Sequence, residues 1–174
     1  MDLSAWKDVV LHFIQNNQVW TAPVVFLLAF GESLAFVSLL LPATVILLAI
    51  GGLIGASGVD LWPAWIAGGL GSILGYAVSY WIGRHYKDRI HTFWPFRTHP
   101  AMIPRGQAFF DRYGASGVFI GHFFGPLRAV VPVVAGMCAM RQLPFQIANV
   151  SASLLWTTSV LLPGAFGVKW MFGG

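Results

Sequence analysis

Charge is the scarcest property of this chain. Only 9% of its 174 residues are charged, where soluble proteins carry roughly a quarter. Hydrophobic residues make up 57%, more apolar surface than a soluble domain of this length can bury. A lone cysteine, Cys138, excludes an intramolecular disulfide and a CxxC metal signature and reads as a small packing residue. HExxH, GxSxG and any carboxylate cluster able to hold a metal are all absent from the sequence. No enzyme, cofactor or metal is therefore expected. The net charge of +4 comes without a nucleic-acid-binding module, so nucleic acid is not an expected partner. Residues 1–17 contain Asp2, Lys7, Asp8 and His12 and no short apolar core ahead of a small-residue cleavage site, so the hydrophobic segments are expected to direct membrane insertion.

What the chain does have is apolar runs of unusual length. Val19 to Val59 covers 41 positions and holds Glu32 and Pro42, whereas roughly 20 helical residues cross a bilayer core. One crossing plus a segment that enters and turns back fits 19–59. The segment 115–140 repeats the anomaly, with His122, Arg128, Pro126 and Pro132 inside an otherwise apolar stretch. Ionisable groups at membrane depth are functional candidates by default.

The rest of the chain fits around these two units as a single domain, 1–174. Leu3, Trp6, Val9, Val10, Phe13 and Ile14 recur at helical spacing, which predicts an interfacial amphipathic helix over 1–17. Residues 61–83 read as a span flanked by Trp62, Trp65 and Trp81, with Gly68, Gly69, Gly71, Ser72, Gly75 and Ser79 as small packing residues. Residues 84–114 read as a basic loop. Arg84, Lys87, Arg89, Arg97, Arg105 and Arg112 are six of the ten basic residues, which places the loop in the cytoplasm by the positive-inside rule. A last span is predicted over 145–170.

The two interrupted segments match each other. Gly31-Glu32 is followed by Pro42, and Gly121-His122 by Pro132, each proline ten residues after the ionisable group. Proline breaks the helical ladder and frees backbone groups that must line a cavity or bury against protein. Paired broken helices of this kind occur in secondary transporters, with the substrate site at the repeat interface.

Several blocks in order carry a family resemblance. Gly31-Glu32-Ser33-Leu34 through Leu41-Pro42, Ser79-Tyr80-Trp81-Ile82-Gly83-Arg84, Gly121-His122-Phe123-Phe124-Gly125-Pro126-Leu127-Arg128 with Pro132 and Ala135-Gly136-Met137, and Phe145 with Asn149 to Trp156 together resemble the DedA family, its YabI-like branch in particular. The resemblance implies a multi-pass protein of the bacterial cytoplasmic membrane. It also implies an all-α DedA-like fold: two Pro-broken re-entrant hairpins that face each other, about three transmembrane helices and an N-terminal amphipathic helix. The implied activity is translocation of undecaprenyl phosphate or a related phospholipid, with protons as a possible coupling partner. Glu32 and Arg128 match the family's acid and second arginine. Thr44 and Tyr76 stand where acids are usual, and His122 where the first arginine is. Family members often continue into a further span beyond the position of Gly174.

Chemistry assigns roles to the retained residues. Arg128 stays charged and offers a planar fork suited to phosphate. Asn149 is a candidate for the same polar lining, and His122 for either phosphate contact or proton transfer. Glu32 is the other candidate for proton coupling. An unpaired charge in low dielectric is costly, so Glu32 is expected beside Arg128 or His122. Pro42, Pro126 and Pro132 are the expected hairpin breaks. Two other readings stay open, an ion- or proton-coupled small-molecule transporter and a non-transporting membrane-organising factor. The oligomeric state is open as well, a homo-oligomer included.

Overall fold

The computed structural model describes residues 16–34, 43–87 and 97–172. Every regular element among them is helical. The amphipathic segment expected over 1–17 lies outside the described residues apart from its last two positions, and so do Pro42 and the middle of the basic loop.

Helix α1 is Gln18–Ser33, and the chain leaves it through Leu34 in an extended conformation. Helix α2, Ala43–Ser57, stops at Gly58, whose φ of 69° is the left-handed geometry that ends many helices. Asp60 Oδ1 then accepts the Trp62 backbone N–H at 3.2 Å, and α3 runs from Trp62 to His85 with Pro63 in its first turn, where a missing N–H does no harm. Helix α4 is Met102–Gly121, kinked at Gly114 (φ 51°, ψ −130°). The second half of the segment expected as a basic loop is thus helical. After a turn at His122–Phe124, α5 covers Gly125–Met137 and α6 covers Gln142–Phe172. Pro126 opens α5, so it marks the break. Pro132 does not: it sits inside α5, which runs on to Met137.

Among the described residues, two helices are long and apolar enough to cross a membrane, α3 with 24 residues and the Gln142–Phe166 part of α6 with 25. At 16 and 15 residues, α1 and α2 would each reach only about 24 Å, less than the ~30 Å hydrocarbon core. The exterior is apolar: Val19, Trp20, Trp62, Leu70, Trp81, Ile147 and Phe166 are all exposed. Polar residues are buried instead, among them Glu32, Ser33, Ser72, His122, Arg128, Asn149 and Ser153. Apolar outside and polar within is the arrangement a bilayer solvent favours.

Helices pair through glycine. A Cβ at Gly71 or Gly75 would strike the α1 backbone at Phe26 and Phe30, and one at Gly83 or Gly136 would strike the α3–α5 contact at Val133 and Tyr80. Likewise Gly51 and Gly55 lie against Leu161 and Ala165 of α6, and Gly164 against α2. Backbones in direct contact pack rigidly. Two groups result, α1–α3–α5 and α2–α6, which meet where α3 packs on α6 side chains such as Leu154 and Thr157, while α1 and α2 touch each other only lightly. At the polar end, the Tyr80 hydroxyl donates to Met140 O at 2.6 Å, and Arg84 Nη1 donates to that hydroxyl at 2.8 Å, tying α3 to the α5–α6 turn.

Candidate functional site

Glu32 lies in the last turn of α1 and Arg128 in the first turn of α5. Each charge thus sits at the unfavourable end of its own helix dipole, an acid at a C-terminus and a cation at an N-terminus. Opposite charge resolves both. Arg128 Nη1 meets Glu32 Oε1 at 3.2 Å, with both residues buried. The hydroxyl of Thr44, from the start of α2, donates to the same carboxylate oxygen.

The other arm of the guanidinium enters a chain of hydroxyls. Arg128 Nη2 donates to Ser33 Oγ at 2.9 Å and to Ser72 Oγ at 3.4 Å. Ser33 donates to Ser72 at 3.1 Å, Ser72 to Ser153 at 3.2 Å, and Ser153 to Asn149 Oδ1 at 3.1 Å. Asn149 Nδ2 ends the chain on Ile73 O at 3.0 Å and Gln146 Oε1 at 3.2 Å. Every donor points away from the cation, so the dipoles align and stabilise its charge cooperatively. Above the guanidinium lies the indole of Trp156, 3.7 Å from ring centroid to Arg128 Cζ.

His122 is 1% exposed and fills the break between α4 and α5. Its ring packs on Tyr76 (4.4 Å between centroids) and flanks Trp156 (6.1 Å). Neither ring nitrogen has a hydrogen-bond partner among the described residues; nor do Tyr76 Oη, Arg128 Nε or Glu32 Oε2. A buried polar group left unpaired costs about 1–3 kcal/mol.

The expected pairing of Glu32 with Arg128 is therefore present. Asn149 is one step removed, reaching the cation only through Ser153 and Ser72. His122 joins the cluster by packing, without a hydrogen bond. Pro42 falls outside the described residues. Sequence reasoning missed Trp156, Tyr76 and the serine chain as site members. Ser72 read there as a packing residue, and Tyr76 only as a departure from a family pattern. The available signal was spacing: Asn149, Ser153 and Thr157 recur every four residues, which puts three polar side chains on one face of α6.

Two structural groups supply the cluster. Glu32, Ser33, Ser72, Tyr76 and Arg128 ride on α1, α3 and α5, while Thr44, Asn149, Ser153 and Trp156 ride on α2 and α6. Away from it, an apolar groove of about 450 Å³ runs between α1 and α2, lined by Trp20, Val24, Ile50 and Leu53 among others.

A buried acid–arginine pair inside an apolar shell narrows the family, and sequence comparison decides it. The VTT domain matches residues 41–166. This chain belongs to the DedA family of VTT-domain membrane proteins. It is similar to the inner membrane protein YabI of Escherichia coli, with 35% identity over 88% of this chain and 60% of YabI. An uncharacterized membrane protein of Buchnera aphidicola subsp. Acyrthosiphon pisum is 32% identical over 87% of the chain and 59% of the relative. Protein DedA of Escherichia coli is 26% identical over 91% of the chain and 77% of DedA. The chain thus spans about three fifths of YabI. No solved structure matches it. Membership in the DedA family places the Glu32–Arg128 pair in a membrane protein, where a desolvated charge pair is rare.

Proposed function

We propose that this DedA-family chain moves a lipid phosphate, undecaprenyl phosphate or a related phospholipid, across the bacterial cytoplasmic membrane, by transport and not by catalysis. The observation that carries the reading is the buried Glu32–Arg128 pair at the seam between α1–α3–α5 and α2–α6. Within each group the backbones interlock through glycine. Between them run side-chain contacts: Thr44 to Glu32, Trp156 to Arg128, Ser72 to Ser153, and Trp65 Nε1 to Thr158 at 2.9 Å. Side-chain hydrogen bonds can be exchanged at little net free energy, so the seam is the part of the fold suited to opening.

In this reading the carboxylate and the headgroup phosphate share Arg128, which they can do only with a proton between them. That proton, on Glu32 or on the headgroup, offsets one negative charge, and Arg128, still held by Ser33 and Ser72, accepts the phosphate. Proton coupling through Glu32, with His122 beside it, follows from that requirement. The short α1 and α2, and the α4–α5 break, serve as membrane-dipping hairpins, and the α1–α2 groove takes the hydrocarbon tail.

The test is flux of labelled undecaprenyl phosphate and phosphatidylethanolamine in proteoliposomes. Arg128→Lys keeps the charge and loses the fork, so lipid-phosphate flux should fall strongly. Glu32→Gln should flatten its dependence on pH. Wild-type flux in folded Arg128→Lys and Arg128→Ala would remove Arg128 as headgroup ligand and favour an ion-coupled or organising role.

A further inference from the structure

The ion pair leaves part of its own surroundings unused. Arg128 Nε, the Tyr76 hydroxyl and the two nitrogens of His122 lack partners among the described residues, as does Glu32 Oε2. They are neighbours. The Tyr76 and His122 rings are 4.4 Å apart, the Tyr76 hydroxyl lies beside the Arg128 guanidinium without a well-formed hydrogen bond, and Glu32 is already paired to Arg128 at 3.2 Å. A guanidinium N–H, a phenol O–H and one N–H of a neutral imidazole make three free donors, with a carboxylate oxygen as free acceptor. Three donors and one acceptor complement an oxyanion that itself carries one proton.

We infer that Tyr76, His122 and the Nε edge of Arg128 form the seat of a phosphate monoester in its protonated, singly charged form, with Glu32 Oε2 accepting the P–OH hydrogen bond. This rests on the proposed function and specifies its substrate class. A diester has no P–OH, so in this seat it would set its charge against a bare carboxylate. A monoester brings the hydrogen that bridges the two oxygens. The second ionisation of a phosphate monoester lies at about pH 6, so the matching form declines above it. The ionisable groups facing the seat are Glu32 from α1, Tyr76 from α3, His122 from the break and Arg128 from α5. Among the described residues, helices α2 and α6 bring the cluster uncharged groups, Thr44, Asn149, Ser153 and Trp156. Trp156 covers the guanidinium from the other glycine-welded group, and parting of the groups uncovers the seat.

Tyr76→Phe is the decisive variant, because it keeps the buried ring on His122 and removes only the hydroxyl. The full chain in phosphatidylcholine nanodiscs is titrated calorimetrically with short-chain phosphatidic acid, short-chain phosphatidylglycerol and inorganic phosphate, at pH 6 and pH 8. Wild type should bind phosphatidic acid at pH 6 at least ~10-fold more tightly than phosphatidylglycerol, and lose affinity by pH 8, where the monoanion is about 50-fold scarcer. Tyr76→Phe should weaken monoester binding ~10-fold or more, leave diester binding unchanged, and unfold at the same or a higher temperature. Unaltered monoester affinity in Tyr76→Phe, or equal wild-type affinity for monoester and diester, overturns the proposal. Inorganic phosphate binding as well as phosphatidic acid, and weakened likewise by Tyr76→Phe, supports the seat and identifies the free anion as its ligand. Binding is read without flux, so monoester binding in a protein that moves no lipid would sink the transport reading alone.

Discussion

Arg128 and Trp156 meet face to face, the guanidinium carbon 3.7 Å from the indole centroid. The contact joins α5 to α6, and with them the two glycine-welded groups. A desolvated cation–π contact is worth about 2 kcal/mol or more, and tryptophan is the best partner. Trp156 is thus both a wall of the site and a holder of the guanidinium's charge while the two groups are closed.

Replacing Trp156 separates these roles. Trp156→Phe keeps a weaker aromatic face and should retain part of the flux, while Trp156→Leu should abolish most of it and lower stability by about 3 kcal/mol or more through the added cavity. Thermal unfolding in detergent alongside liposome flux reads both. Equal flux in the two variants would show that the aromatic face is irrelevant.

Removing one member of the ion pair leaves the other charge buried alone. Glu32→Ala and Arg128→Ala should each cost about 3–5 kcal/mol, and Glu32→Met with Arg128→Met together much less. The double variant should fold and be inactive. Denaturation of all three supplies the check, and a double variant no more stable than either single would contradict the pairing.

The pairing itself was legible in the sequence. Glu32, His122 and Arg128 stand out because ionisable groups are rare in apolar runs, and low dielectric demands that opposite charges meet. The extent of α3 was legible too, from an apolar run flanked by Trp62 and Trp81 and followed by Arg84. Trp156 and Tyr76 were not, because an aromatic residue on an apolar helix carries the same pattern whether it packs against leucine or against a guanidinium. Helix α4 was hidden for a related reason. Its first turns are polar enough to read as a loop, and contacts such as Gly106 with Val134 and Gly121 with Val131 show that the helix packs on α5.

Glycine interlocks differ in what stands opposite. A methyl at Gly136 would meet the backbone oxygen of Tyr80, whereas one at Gly69 meets only the Leu154 side chain. Gly136→Ala should destabilise by roughly 1–3 kcal/mol or more, and Gly69→Ala by less, since a side chain can yield where a backbone cannot. Unfolding temperatures of the pair decide it.

Orientation follows from the basic segment. In a Cys138→Ser background, a cysteine at Thr98 should resist an impermeant thiol reagent in intact cells and react after permeabilisation, while one at Asp60 should do the reverse. Labelling at Thr98 in intact cells would invert the topology.

The contact of α2 with α6 has a consequence for biosynthesis. Gly51 packs on Leu161, about 110 positions later in the chain, and at ~5–20 residues per second the ribosome needs roughly 6–20 s to make that distance. Throughout this interval α2 is in the nascent chain with its glycine face unpartnered, while α1 can already close on α3. The insertion machinery or surrounding lipid must shelter α2 until α6 emerges, so the site closes only once Trp156 and Leu161 have been made.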